Sequence, residues 1–312
     1  MKYSPLFWPI KLKGDTIYVL DETLLPGRVK YIKVNNYQES CRVIKEMKTR
    51  AVGQVLLVLY TFYLVTKHNK GEVDPALLKK VAKALNSTRP TLSFKFLTDM
   101  VLGWAKSGSR FQDRISGFLE LLKNKRLKQA KEASELIKDG DTILTHCNIS
   151  GLMPLVGEFC REQGKKIDFF VSETRPYMQG LRLTAWELIR AGFKATVISD
   201  SMVAQVMQEK KIDRIIVGAD NLAQNGDIAN KIGTYQIAIL ARHFNIPFYV
   251  ICPPASSAKS GEEIKIEVRS DDELLKFQGK RIGPKGVKGY YPAFDITPNK
   301  LITKHIYLGV QK

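Results

Sequence analysis

The sequence predicts an α/β fold: a doubly wound, mostly parallel Rossmann-like sheet domain, preceded by a smaller, mainly helical domain with a short N-terminal β hairpin. Three observations lead there. From residue 142 onward, short apolar strands alternate with helical patterns, as parallel strands joined by crossover helices do. Before that point helical periodicity dominates, with heavily charged faces. At the start, two strand-like pieces flank a Pro-Gly turn.

Those two pieces are "DTIYVLD" and "VKYIKV", separated by Pro26-Gly27. The longest apolar run, "VLLVLYTFYLV" (Val55 to Val65), is too short to span a bilayer and reads as a buried helix. Asp74 and Pro75 read as the N-cap and first position of the helix "ALLKKVAKAL". From Phe111 to about Lys138 the pattern stays helical, until Asp139-Gly140-Asp141 stops it. The boundary is placed near residue 130, giving domains 1–130 and 131–312. The strands of the second domain are "TILTHC", "IDFFVSE", "ATVISD", "RIIVGAD" and "PFYVIC". Helices such as "GLRLTAWELIRAG" and "ANKIGTYQIAILARHF" separate them.

Composition narrows the function. Hydrophobic residues make up 44% of 312, ordinary for a globular chain with a real core. The N-terminus lacks a continuous apolar signal core, so a cytoplasmic protein with no membrane association is expected. Cys41, Cys147, Cys160 and Cys252 are scattered, as are the four histidines. That spacing offers no zinc site and no disulfide scaffold. The formal charge of +18 fits nucleic acid, an anionic small substrate or plain solubility. Its lysines lie on amphipathic helical runs, and no zinc finger, RNA-recognition signature or basic tail supports nucleic acid. There is no GxGxxG and no Walker loop, so neither dinucleotide nor ATP is indicated.

Open parallel sheets bind ligands at the carboxyl ends of their strands. Here those ends carry His146-Cys147-Asn148, Glu173-Thr174-Arg175, Asp200-Ser201, Gly218-Ala219-Asp220 and Cys252-Pro253. Each has a plain structural reading: Cys147 as a small buried hydrophobe, Asp200 and Asp220 as helix caps, Arg175 as a surface ion pair. Their coincidence at five strand ends points instead to a site. Cys147 and Asp220 form a candidate proton-transfer pair. Arg175 and Lys231 are candidates for holding a phosphate, aided by helix N-termini. Cys160, on an apolar helical stretch, is expected to be inert.

At these residues the chain resembles the methylthioribose-1-phosphate isomerase family. The segments that carry the resemblance are "LTHCN", "ETRPYMQGLRLTAWEL", "DSMVAQVM", "VGADNLAQNGDIANKIGTYQIAILARHFNIPFYV" and "YPAFDITPNKLIT", with "VLDETLLPGRVKYIKV" and "STRPT" in the first domain. The wider superfamily includes ribose-1,5-bisphosphate isomerases and regulatory subunits of a translation-initiation exchange factor. The resemblance implies a cofactor-independent aldose–ketose isomerisation of a cyclic pentose 1-phosphate, and a homodimer. It assigns catalysis to Cys147 and Asp220, with Asp220 opening the ring as an acid and Cys147 handling hydrogen at C1 and C2. A carboxyl kept protonated by an apolar pocket would suit the first role. It brings Arg50 and Arg89 to the phosphate, Gln179 to the sugar hydroxyls, and Asn230 and Lys231 to the substrate.

Two departures stand out. Where the isomerases carry "RGAPAIG", this chain has "TRAVGQV": Arg50 stays, but the following glycine and the proline are gone. A loop of another shape is expected there, because glycine permits unusual dihedrals. The segment after "THCN" is also shorter than in typical methylthioribose isomerases. Rival substrates are therefore ribose 1,5-bisphosphate and 5-deoxyribose 1-phosphate. A rival of another class is a non-catalytic sugar-phosphate-sensing regulatory protein, against which the retained Cys147 and Asp220 argue.

Overall fold

The computed structural model describes residues 3–68, 73–89, 94–106, 110–277 and 279–309. The chain forms two compact units, Lys2–Lys125 and Arg126–Lys312, and the division falls inside a long helix, α5 (Phe111–Glu135).

In the first unit, β1 (Ile10–Lys13), β2 (Thr16–Leu20) and β3 (Tyr31–Val34) form an antiparallel sheet in that order. The expected hairpin is β2–β3. The third strand, β1, is too short and too lysine-rich ("IKLK") to announce itself. Alternation drives β2 onto the core, with Ile17 and Val19 fully buried. Four helices follow: α1 (Tyr37–Lys45), α2 (Val52–His68), α3 (Pro75–Asn86) and α4 (Lys95–Lys106). Asp74 caps α3 as its sequence predicts, accepting from the Ala76 N–H at 2.8 Å and the Leu77 N–H at 3.2 Å. The apolar run is the centre of α2, where Leu56, Leu57, Val58, Leu59, Phe62 and Leu64 are all buried. Among the described residues no helix is long and apolar enough to cross a membrane.

The second unit holds a six-stranded parallel sheet: β4 (Thr142–Thr145), β5 (Asp168–Ser172), β6 (Ala195–Ile198), β7 (Arg214–Gly218), β10 (Phe248–Cys252) and β16 (Lys304–Tyr307). All five predicted strands are present; β16 is an addition. Its spatial order is β16-β10-β7-β4-β5-β6. The chain starts at β4, winds outward through β5 and β6, returns to β7, and winds outward again. That is the doubly wound order, with its switch point between β4 and β7. The middle strands are buried on both faces, as Ile215, Ile216 and Val217 show in β7. Of the crossover helices, α6 (Leu152–Glu162) packs with α7 (Ala185–Arg190), and α8 (Val203–Gln208) with α9 (Thr234–His243), as two helical layers would. On α5, Gln129 Nε2 donates to the carbonyls of Cys252 at 2.8 Å and Ile306 at 2.9 Å, joining β10 and β16.

One reading changes. "ANKIGTYQIAILARHF" is not helical from its start: Ile228–Lys231 is a strand, β9, and α9 begins only at Thr234. Gly233, at φ 102°, makes the break. β9 lies between β8 (Asn221–Leu222) and β15 (Phe294–Thr297) in a small antiparallel sheet. Two ribbons complete the unit, β11 (Val268–Arg269) with β14 (Tyr291–Pro292), and β12 (Lys276–Phe277) with β13 (Lys280–Arg281).

Candidate active site

Cys147 and Asp220 follow β4 and β7, the two adjacent parallel strands on either side of the switch point. Open sheets place their ligand crevice at that position. Cys147 is half-buried, with its backbone in the left-handed region at φ 62°. Two threonines fix this conformation. The Cys147 N–H donates to Thr174 Oγ1 at 2.9 Å, and the Cys147 carbonyl accepts from Thr184 Oγ1 at 2.6 Å. Asn148 ties down the next peptide, its Nδ2 donating to Thr184 Oγ1 and to Glu187 Oε1, both at 2.9 Å. Glu187 is buried, and buried Arg126 attracts it while donating to the Ser150 carbonyl at 2.6 Å. The thiol loop is thus held from beneath by an acid and a base that few sequence cues would pair.

His146 is almost fully buried and spans three loops. A carbonyl can only accept, so the 2.9 Å contact from Nε2 to the Ile232 oxygen places the proton on Nε2. Nδ1 then accepts from Ser172 Oγ at 2.5 Å. Burial pushes the imidazole below the ordinary histidine range, against the pull of Asp200 and with the push of Lys231. The ring is therefore neutral and acts as a spacer between the β4, β5 and β9 ends.

Asp200 does not cap a helix. Its carboxylate accepts the backbone N–H of Thr174 at 2.9 Å and of Arg175 at 2.7 Å, which anchors the turn leading to Gln179. Arg175 sends Nη2 to the Leu274 carbonyl at 3.0 Å. Gln179 is buried and opens a π-helical turn, Gly180–Thr184, a form that recurs at functional sites. Gly180 is sterically required there: a Cβ would lie 1.8 Å from the Ser172 oxygen. Asn230 and Lys231 are both buried on β9. Asn230 Nδ2 donates to Thr234 Oγ1 at 2.9 Å, and Lys231 Nζ sits 4.9 Å from the Phe294 ring centre. The structure therefore gathers Cys147, Gln179, Asn230 and Lys231 around one set of loops, linked through Thr174 and His146.

Two expectations need correction. The N-terminus of α9 is not open to a phosphate, because the Asp295 carboxylate already accepts from the Gly233 N–H at 2.7 Å and the Tyr235 N–H at 3.1 Å. Burial holds that carboxyl at about 6. Asp220 is exposed, so among the described residues no apolar pocket surrounds it. Among the described residues no His, Cys, Asp and Glu side chains assemble as a metal-ligand group.

Arg50 and Arg89 belong to the first unit and are drawn together there. Arg89 Nη1 donates to Gln54 Oε1 at 3.2 Å, and Gln54 Nε2 donates to the Thr49 carbonyl at 3.0 Å. Of the "STRPT" motif, Pro90 and Thr91 lie outside the described residues. In the loop after Arg50, Ala51 adopts φ 41°, a left-handed turn at a non-glycine residue. Buried Glu22 secures this turn by accepting from Thr49 Oγ1 at 2.6 Å and from the Arg50 N–H at 3.1 Å. Burial raises its carboxyl to about 7.

Comparison with known proteins agrees with this architecture. The family model for the initiation factor 2 subunit family matches residues 49–307. A methylthioribose-1-phosphate isomerase of Fervidobacterium nodosum is 40% identical, over 93% of this chain and 90% of its own length. The solved 5-methylthioribose 1-phosphate isomerase of Pyrococcus horikoshii is 30% identical with a TM-score of 0.82, covering 98% of this chain and 93% of that one. The translation initiation factor eIF-2B delta subunit of A. fulgidus is 33% identical with a TM-score of 0.83, covering 97% and 94%. With the model spanning most of its length and isomerase relatives at this identity, the chain belongs to the initiation factor 2 subunit family.

Proposed function

We propose that the chain is an aldose–ketose isomerase that converts S-methyl-5-thioribose 1-phosphate to S-methyl-5-thioribulose 1-phosphate without a cofactor, in the cytoplasm and as a homodimer. The observation that carries this reading is the placement of Cys147 and Asp220 after β4 and β7, on the two sides of the switch point. Asp220 gives a proton to the ring oxygen as the C1–O bond breaks. The hydrogen on C2 is transferred to C1 with the help of Cys147, and the C2 hydroxyl loses its proton as C2 becomes the ketone. The proton taken by the ring oxygen equals the one released at C2, so Asp220 returns to its starting state without any other reactant. Gln179, Asn230, Lys231 and Arg175 bind the sugar phosphate, and Arg50 and Arg89 supply charge to its phosphate.

The exposure of Asp220 fits a group that meets bulk protons between turnovers. His146 is neutral and held at both ring nitrogens, so the chemistry at the β4 end falls to Cys147 in this reading. The test is direct: incubate the purified protein with methylthioribose 1-phosphate and follow the ketose. Cys147→Ser and Asp220→Asn each lower turnover at least ~100-fold with the circular dichroism unchanged, the scale of a lost acid–base group. Near-normal turnover in either variant refutes the assigned roles. Higher kcat/KM for ribose 1,5-bisphosphate reassigns the substrate and keeps the reaction.

A further inference from the structure

Among the described residues several buried side-chain polar atoms lack a hydrogen-bond partner, and one of them lies beside Lys231. Tyr291, on β14, is 2% exposed, and its hydroxyl is buried with no hydrogen-bond partner among the described residues. Buried tyrosine hydroxyls nearly always find a partner, because an unpaired one costs the fold free energy that a phenylalanine would not. The surroundings give the hydroxyl a purpose. The Tyr291 ring centre lies 5.9 Å from Lys231 Nζ, itself a buried cation. The two segments run side by side: the Ile232 N–H donates to the Ala293 carbonyl at 3.1 Å, and Phe294 pairs with Lys231 across β9 and β15. The next carbonyl, that of Ile232, is the one that receives His146 Nε2, beside Cys147. Tyr291 therefore shares a backbone frame with the candidate catalytic loop, and its ring packs in the core while its hydroxyl makes no hydrogen bond to the described residues.

We infer that the Tyr291 hydroxyl is a substrate-binding group, which forms a hydrogen bond with an oxygen of the sugar phosphate beside Lys231. This rests on the isomerase reading, and it adds a binding residue to those that the resemblance assigns. A phenol can donate to a phosphate oxygen or exchange a hydrogen bond with a sugar hydroxyl. Either partner satisfies the buried atom only when ligand is present, so the hydroxyl serves recognition at the expense of the free chain.

Tyr291→Phe tests this with two readouts that a structural role would move the other way. KM for methylthioribose 1-phosphate rises ~5- to 30-fold, the effect of one lost hydrogen bond, while the melting temperature of the ligand-free protein stays level or rises. Inorganic phosphate, used as a competitive inhibitor, identifies the partner: an inhibition constant that rises in step points to the phosphate, and one that stays constant points to a sugar hydroxyl. A KM within twofold of the parent overturns the inference, and a lowered melting temperature with it shows the hydroxyl serving the fold through a bound water. A parent protein that turns over none of the substrate sinks the isomerase reading instead. Binding of methylthioribose 1-phosphate, followed by thermal shift, then decides Tyr291 alone: weaker binding in the variant keeps it, and equal binding removes it.

Discussion

Glu22→Gln is expected to change the pH dependence of stability in a way that isolates one buried carboxyl. Glu22 is 5% exposed, and burial raises it from its ordinary value of 4.5 to about 7, against the opposing effects of the Thr49 hydrogen bond and the Arg50 charge. The folded chain therefore prefers the protonated carboxyl. Its contribution is fully present below pH 4.5, where both states are protonated. As pH rises from 4.5 to 7 the unfolded chain ionises while the folded chain does not, and stability falls by about 1.4 kcal/mol per pH unit. Above 7 both ionise and the loss levels off at about 3 kcal/mol. Glutamine keeps an oxygen to accept from Thr49 Oγ1 and the Arg50 N–H but has no proton to lose. Asp21 and Lys48, 3.5 Å apart beside this carboxyl, are present in both proteins and cancel in the comparison. Urea denaturation of both proteins at half-unit steps from pH 4.5 to 8 reads the effect. The variant gains ~3 kcal/mol on the parent across that range. A free-energy difference that stays flat from pH 4.5 to 8 refutes the buried, raised carboxyl.

Two further expectations concern the same loops. Ala51→Gly relieves a left-handed alanine, a strain of ~1–2 kcal/mol, against glycine's entropic cost of ~0.5–1 kcal/mol, so denaturation shows a small net gain and a clear loss contradicts the φ of 41°. Iodoacetamide labels Cys147 before the other three cysteines, because burial pushes Cys160 up to about 11 and Cys252 up to about 12 and raises Cys41 as well. Peptide mapping that finds Cys160 or Cys252 labelled first counts against the accessibility of the Cys147 loop.

The strands were legible because their β-branched runs are local: "RIIVG" and "FYVIC" are buried almost throughout, so they needed no alternation to be recognised. The short strand β9 was not, because "IANK" continues without a break into helix-forming residues and only Gly233 separates the two. The catalytic candidates were legible for a topological reason, since the end of a parallel strand is a place that sequence order defines. Their supports were not. His146 meets Ser172 across 26 residues and Ile232 across 86, and Asp200 meets Arg175 across 25. No periodicity encodes such partners. Glu22 and Ala51 show the same limit from the other side: the sequence reported a missing glycine, while the buried carboxyl that holds the turn without it sits 28 residues from Arg50.

Fold similarity alone does not separate the two functional classes of this family. The eIF-2B delta structure and the methylthioribose isomerase structure superpose on this chain with TM-scores of 0.83 and 0.82, so the architecture weighs equally for each. The separation has to come from the site. A regulatory subunit needs loops that hold a shape; it has no need for a half-buried cysteine on a left-handed residue, its backbone secured by two threonines and its loop by a buried Arg126–Glu187 pair, after the strand next to the one that Asp220 follows. A left-handed cysteine costs the backbone of order 1–3 kcal/mol, and such strain persists where the surrounding contacts over-determine it. The neutral His146 beside it adds rigidity without adding charge. A firmly held frame around a thiol and a carboxyl suits an isomerase, because protons must move at defined atoms while the frame stays still.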